Sequence, residues 1–241
     1  MSAGTINAIV GSGSLITFPT LLAIGYPAVT ANVSNNIGLV PGGLSAVAGL
    51  RGELTGQGHR VRRLAIGSIT GSLLGAILLM TLPSSVFDGV VPVLVIGAAL
   101  LMAAQPMVAR RLAARRMSAG RSTAGPGWGA TSVTFAAGIY GGYFGAAQGV
   151  ILMAALSVLV PDELRRTNAL KNVLSTIVNL VAAAFFVIFA SPAWEVVGLI
   201  AAGAVVGGLL GARVARRINP RILRWTVVVV GLVVGIKLLV D

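Results

Sequence analysis

Two short segments of this sequence place amide and ammonium groups inside otherwise apolar stretches. Each is an asparagine-rich segment that follows an apolar stretch interrupted by glycine. Amide N–H groups and a lysine ammonium are hydrogen-bond donors, and in apolar surroundings they would bind a small anion rather than a metal cation. The predicted substrate-binding residues are Asn32, Asn35, Asn36, Gln148, Asn168, Lys171 and Asn172.

Structural roles for the same residues remain open alternatives. Asparagines in membrane helices also cap helix ends or form hydrogen bonds between helices. Lys171 lies only five residues after Arg166, so its side chain could instead extend to the membrane surface. Asn179 follows Asn172 by two helical turns and is placed to line the same pathway.

The interrupted stretches predict where these donors would be positioned. Irregular backbone at membrane depth persists only when it is buried in protein or lines a cavity. A short helix that begins at such a break directs its unpaired N–H groups and a partial positive charge into that cavity. The predicted helix-break residues are Gly11, Gly13, Pro19, Gly141, Gly142 and Gly145.

Composition favours a membrane protein built from helices. Of the 241 residues, 56% are hydrophobic and only 10% are charged, well below the quarter that soluble domains carry. We therefore predict an all-α polytopic membrane protein, in contact with the lipid bilayer and located in the cell's inner membrane. The net charge of +12 does not indicate nucleic-acid binding, because the arginines form short clusters between long apolar runs.

The sequence lacks the side chains that several kinds of chemistry require. The chain has no cysteine, its only histidine is His59 in a basic loop, and no predicted span carries a carboxylate in its interior. The sequence therefore predicts no catalytic group, no metal site and no cofactor. A coupling proton or ion is compatible with transport, but no residue is identified as its carrier.

The order of segments indicates an internal repeat. A shift of 136 residues places Asn32 on Asn168 and Asn36 on Asn172. We predict a first transmembrane repeat at 1–109, a basic cytoplasmic linker at 110–127 and a second repeat at 128–241. The chain begins shortly before Gly11, so we expect the first broken segment to be short.

Loop charges predict that the two repeats are inverted. In the first, the loop after the asparagine-headed span holds four arginines and the next loop none; in the second this order is reversed. If arginine-rich loops are cytoplasmic, the halves have opposite topology, with about seven to eight membrane segments. Residues 128–160 would then enter the membrane and return as a re-entrant hairpin. A single tilted helix over that run is the alternative.

The two motifs resemble the TauE/SafE sulfite exporter family of membrane permeases. The resemblance covers nearly the whole chain, and Ser12 and Ser14 stand where the family often has glycine. It implies transport of sulfite, sulfonates or related organosulfur anions. It is carried by Gly11-Ser12-Gly13 with Pro19, by Thr30-Ala31-Asn32-Val33-Ser34-Asn35, by Tyr140-Gly141-Gly142-Tyr143-Phe144-Gly145-Ala146, by Asn168-Ala169-Leu170-Lys171 and by Gly207-Gly208-Leu209-Leu210-Gly211-Ala212-Arg213.

The sequence thus predicts a secondary transporter that moves a small anionic substrate by alternating access. Two other functions remain open: a membrane scaffold or assembly partner without transport, and an anion channel. An oligomer is compatible with the sequence. A membrane enzyme is the least favoured class, because no catalytic constellation is present.

Overall fold

The computed structural model describes residues 13–118, 127–160, 162–214 and 220–240, with 108–118, 208–214 and 220–223 described by backbone alone. Over these residues the chain is helical and contains no strand, as the composition predicts. The helices are α1 (Ser14–Ala23), α2 (Ala28–Gly49), α3 (Gly58–Thr81), α4 (Ser84–Ser118), α5 (Trp128–Tyr143), α6 (Gln148–Leu159), α7 (Leu164–Phe189), α8 (Trp194–Val214) and α9 (Pro220–Val240).

Three of the described helices are long and apolar enough to cross a bilayer: α3, α4 over Ser84–Met107, and α7. The outer faces of the helices, α8 included, carry large apolar side chains that are mostly exposed. Leu199 on α8 and Ile188 on α7 are 76% and 71% exposed. Such surface is stable in lipid rather than in water, which confirms a helical membrane protein.

Some predicted helix breaks are wrong. Pro19 lies inside α1, and Gly141 and Gly142 lie inside α5; the interruption begins only at Phe144. Neighbouring groups in a membrane protein can satisfy the carbonyl that proline frees, so Pro19 is tolerated. Of the other predicted breaks, Gly13 directly precedes α1 and Gly145 lies in the interruption, whereas Gly11 is outside the described residues.

The predicted basic linker is partly helical. Helix α4 continues through residue 118, and residues 119–126 lie outside the described part of the chain. The arginines at 110, 111, 115 and 116 therefore extend the last turns of α4 instead of forming a loop. Helix formers such as alanine and arginine dominate this segment, which explains its continuation.

Three connections meet at one end of the bundle, which we call the basic end. It comprises residues 50–57 with the first turns of α3, residue 127 with the start of α5, and residues 160 and 162–163 with the start of α7. The Gln57 amide donates to the Arg166 carbonyl at 3.2 Å, and Arg166 donates to the Thr55 carbonyl at 3.1 Å. Arg63 lies 5.8 Å from the Trp128 ring centre. Because α2 and α6 end here and α3, α5 and α7 begin here, these contacts fix the direction of each helix.

Helices α5 and α6 form a hairpin against α3. Gly67, Gly71 and Gly75 on α3 face the carbonyls of residues 131, 135 and 139 in the same order, so α5 runs parallel to α3. Near the start of α3, Leu64 shares an apolar cluster with residues 152, 156 and 160, which places the end of α6 beside the start of α5. Residues 128–160 thus begin and end at the basic end.

Helices in the two halves begin at a constant offset. α7, α8 and α9 begin at residues 164, 194 and 220, and α2, α3 and α4 begin at 28, 58 and 84, so each difference is 136. Contacts follow the same correspondence. α2 packs on α8 as α7 packs on α3, and α1 packs on α9 as α6 packs on α4.

Candidate functional site

The connection between α5 and α6, residues 144–147, is the most irregular backbone near the centre of the molecule. Gly145 has φ +80° and Ala147 has φ +58°, so the chain turns through left-handed conformations that favour glycine. The Tyr140 hydroxyl donates to the Ala146 carbonyl at 2.5 Å, and the Phe144 ring packs edge-on against Phe18 at 5.2 Å. The interruption is therefore held in place by both halves of the chain.

Gln148, the first residue of α6, folds back over α5. Its amide donates to the Ala137 carbonyl at 3.2 Å and its side chain lies directly against Gly141. Any side chain at Gly141 would occupy the space of the Gln148 amide. Gly141 therefore makes room for Gln148 instead of breaking the helix.

A polar cavity of about 30 Å³ lies beside this break, at the junction of α1, α2, α6 and α7. This volume exceeds the space that a single water molecule needs. It is lined by Ser14, Gly42, Gly43, Ala46, Gly145, Gln148, Gly149, Lys171, Asn172, Ser175, Thr176 and Asn179.

Lys171 is the only cation among the described lining residues. Its side chain is 2% exposed, yet within the described structure its ammonium has neither a carboxylate nor a hydrogen-bond acceptor as partner. An unpaired cation inside a membrane protein is costly, and such residues mark sites that bind or move ions.

Neutral donors line the same cavity. The Nδ2 atom of Asn172 and the hydroxyl oxygen of Ser175 are buried and have no partner in the described structure. The Thr176 hydroxyl, in contrast, donates to the Asn172 carbonyl at 2.7 Å. Asn172 and Ser175 are thus available to a ligand, because buried polar groups normally have a partner.

Two short helices begin at the cavity. Ser14 is the first residue of α1 and Gln148 the first of α6, and both line it. Helix N-termini carry a partial positive charge from the aligned peptide dipoles. Together with Lys171, they make the cavity electropositive and suited to an anion.

The predicted asparagines of the first half lie elsewhere. The Asn32 amide donates to the Tyr143 carbonyl at 2.9 Å, and Thr17 donates a short hydrogen bond to the Asn35 carbonyl oxygen. Asn36 is buried, and its Oδ1 atom lacks a partner among the described residues. On α7, Asn168 is half-buried and does not line the cavity. Their role in substrate binding stays a prediction.

Sequence reasoning missed several lining residues: Gly42, Gly43, Ser175 and Thr176. The signal that could have found the last two is helical spacing. Ser175 follows Lys171 by four residues, and Thr176 follows Asn172 by four, so each lies one turn further along the same face. Gly42 and Gly43 were visible only as small residues near Pro41, and small residues more often mark close helix packing.

No acidic side chain contributes to the described lining of the cavity. The described residues contain no group of three or more His, Asp or Glu side chains that could bind a metal. Asp162 lies at the basic end, where it pairs with Arg60 and Arg166. Burial raises the pKa of Asp162, but hydrogen bonds from the Glu163 N–H and both arginines outweigh it and hold that pKa below its usual value.

The sequence profile of the sulfite exporter TauE/SafE family matches residues 1–238. The chain belongs to this family. A TauE/SafE protein is a membrane transporter, in agreement with the apolar helices and the polar cavity. The family resemblance and the transmembrane transport function predicted from the sequence are therefore confirmed.

Three relatives, each named a probable membrane transporter protein, align along almost the whole chain. A probable membrane transporter protein of Haemophilus influenzae is 27% identical over 99% of this chain and 91% of its own length. The Escherichia coli K12 protein YfcA is 26% identical over 100% and 87%, and the ORF9 protein of a Sinorhizobium species is 27% identical over 99% and 89%. No solved structure matches the chain.

Proposed function

We propose that this TauE/SafE protein is a secondary transporter that moves a small oxyanion, sulfite or an organosulfur anion such as a sulfonate, by alternating access. The observation that carries the proposal is Lys171, a buried and unpaired cation in a cavity at which α1 and α6 begin. A charge in this position raises the energy of the empty protein unless an anion neutralises it. Asn172, Ser175 and the helix N-termini supply the remaining donors.

We propose further that residues 1–109 and 128–241 form inverted repeats joined by the basic segment 110–127. The constant offset of helix starts supports this, as do the matched packing partners. The directions of corresponding helices support inversion. Helix α2 ends at the basic end, whereas α7 begins there. Helix α6 runs from the cavity toward the basic end, whereas α1 runs from the cavity toward the opposite end. Inverted repeats with broken helices and a central site recur in secondary transporters.

The same arrangement suggests how the protein lies in a membrane. Helices α5 and α6 contain 16 and 12 residues, so they reach ~24 Å and ~18 Å, less than the ~30 Å hydrocarbon core. We propose that they form a re-entrant hairpin in a multi-pass protein of the cell's inner membrane, with about seven to eight membrane segments. Because Arg60, Arg62, Arg63, Arg165 and Arg166 lie at the basic end, this end would face the cytoplasm.

Flux measurements in proteoliposomes test the function. Sulfite and methanesulfonate uptake is measured for the wild-type chain, for Lys171→Gln and for Lys237→Gln, which removes the same charge from an exposed position on α9. We expect Lys171→Gln to lose at least ~90% of the flux and Lys237→Gln to retain it. Absence of anion movement with correctly inserted wild-type protein would overturn the proposal. Currents far above carrier turnover would identify a channel instead.

Cysteine labelling tests the topology, and the absence of native cysteine makes single-cysteine variants unambiguous. The exposed positions chosen are His59, Gly129 and Arg165 at the basic end and Asp88 and Ser191 at the other. We expect a membrane-impermeant maleimide to label the first three from the cytoplasm and the last two from outside. If positions 129 and 165 were labelled from opposite sides, the hairpin would not be re-entrant.

A further inference from the structure

The charge inventory of the cavity is unusually simple. Lys171 provides one positive charge, and every other described lining residue is neutral. Neither a second base nor an acid contributes to the lining. The nearest arginines along α7 are Arg165, which is exposed, and Arg166, which is engaged with Asp162 and the Thr55 carbonyl at the basic end.

A bound monoanion would form a neutral pair with Lys171. A dianion would leave one negative charge without a cationic partner, because no other described lining residue carries a charge. Removing a charge from water without a partner of opposite sign is strongly unfavourable. The donors of Asn172 and Ser175 and two helix ends offset only part of that cost, because each carries partial charge.

We infer that the cavity selects oxyanions by charge and takes them as monoanions, so that a sulfonate or a singly protonated sulfite binds whereas sulfate or another dianion is rejected. This inference rests on the proposed function and specifies its substrate class. Lys171 supplies the single neutralising charge, and the Asn172 amide and the Ser175 hydroxyl donate hydrogen bonds to the anion oxygens. Asn172 thereby becomes a specificity-determining position, because a cation there would change the permitted charge.

A comparison of three anions distinguishes the effect of anion charge on binding from the effect of anion shape. Sulfate and perchlorate are both tetrahedral with four oxygens but differ in charge, and methanesulfonate keeps the monoanionic charge with three oxygens. Affinity is measured on the purified full chain in detergent, from the shift in unfolding temperature with anion concentration. We expect both monoanions to bind at least ~10-fold more tightly than sulfate. We expect Lys171→Gln to abolish this binding and Lys237→Gln to preserve it.

Sulfate binding within about threefold of methanesulfonate would overturn the inference, since one uncompensated charge should cost more than that. Equal perchlorate binding by wild-type and Lys171→Gln protein would also overturn it, because the anion would then adhere elsewhere.

A gain-of-function variant tests the same inference independently of anion hydration. Asn172→Lys adds a second cation to the cavity, and its matched control, Leu164→Lys, adds one to an exposed position at the start of the same helix, outside the cavity. We expect Asn172→Lys to improve sulfate affinity at least ~10-fold relative to methanesulfonate, and Leu164→Lys to leave the ratio unchanged. Asn179→Lys, also on the lining, replaces Asn172→Lys if that variant does not fold. Unchanged selectivity in a folded cavity variant contradicts the inference.

The inference and the proposed function fail in different ways. If methanesulfonate and sulfate both move across proteoliposome membranes at comparable rates, transport stands and charge selection is wrong. If methanesulfonate binds selectively but no anion moves, charge selection stands and the transport function is wrong.

Discussion

Helices α2 and α7 carry similar polar side chains at equivalent positions, but those side chains face different surroundings. Residue 35 corresponds to residue 171 through the offset of 136 residues. At the first position, Asn35 accepts a hydrogen bond from Thr17 within its own half. At the second, Lys171 lines the cavity without a partner in the described structure. The polar group of the first half is thus hydrogen-bonded within that half, whereas the charged residue of the second half lines the cavity.

This difference indicates that α2 and α7 perform different tasks. Asn32 and Asn35 of α2 hold neighbouring segments together, through the Tyr143 carbonyl and Thr17. On α7, Lys171, Asn172 and Ser175 remain available to a ligand. Two helices can therefore contribute unequally to a site, since α7 carries a lysine where α2 carries an asparagine at the corresponding position.

The strongest test of this comparison exchanges the two residues. Asn35→Lys buries a cation at a position that is 2% exposed and does not line the cavity, so we expect it to lower the free energy of unfolding by ~3 kcal/mol. The double variant Asn35→Lys with Lys171→Asn should bind methanesulfonate no better than Lys171→Asn alone. Thermal unfolding and anion titration measure both effects. Recovery of binding in the double variant would show that the two positions are interchangeable.

The second test loosens the support of the hairpin. A Cβ atom at Gly71 would overlap the Phe135 carbonyl oxygen, so Gly71→Ala must push α5 away from α3. We expect a loss of ~2 kcal/mol in unfolding free energy together with reduced flux. Gly97→Ala is the control, because Gly97 is exposed on α4 and has no atom within 4 Å of its Cβ position. Equal stability of the two variants would mean that α5 does not depend on this close contact.

The third test compares two asparagines that both came from the sequence prediction. Asn32→Ala removes the hydrogen bond to Tyr143 and leaves a carbonyl unpaired, which should cost ~1 kcal/mol of stability. Asn168→Ala alters a half-buried residue outside the cavity, and we expect little change in stability or flux. If Asn168→Ala reduced the flux as much as Lys171→Gln does, Asn168 would be a substrate-binding residue after all.

The smallest expected effect concerns the basic end, which joins the halves. Asp162→Asn removes a partly exposed charge that pairs with Arg60 and Arg166, so we expect a loss of no more than ~1 kcal/mol. Because the folded-state pKa of Asp162 lies below its usual value, its contribution is present above pH 3.8 and disappears as the pH falls through the folded pKa. Wild type and variant should therefore converge in acid. If the unfolding free energies of wild type and variant instead differed more at low pH, the ion pairs of Asp162 would not stabilise the protein.

Much of the fold follows from hydropathy, because uninterrupted apolar runs have few alternatives to a helix in lipid. The helices at 58–81 and 164–189 are examples. Glycine positions were less informative, since glycine can either interrupt a helix or allow close packing against it. Gly145 permits a left-handed turn, whereas Gly141 and Gly142 allow Gln148 and the Ser72 backbone to approach closely. Only the packing partners distinguish a break from a contact.

The site was predicted unevenly for a related reason. Lys171, Asn172, Gln148 and Gly145 lie together at the cavity, because charge or an amide within an apolar run is a strong signal. Asn32 and Asn35 carry the same signal but are satisfied by partners more distant in the chain. Which polar group is satisfied depends on tertiary contacts, and these are absent from local sequence patterns.

The way α5 and α6 lie against α3 bears on the biogenesis of the protein. Neither half-helix is long enough to be retained in a bilayer by its own hydrophobic length. Their glycine-lined docking surface on α3 is synthesised earlier, since residues 58–81 precede residues 128–159. Helix α3 is therefore already present when the α5–α6 hairpin is synthesised. In a chain with this hairpin moved ahead of α3, two short segments would reach the insertion machinery before the helix against which they pack.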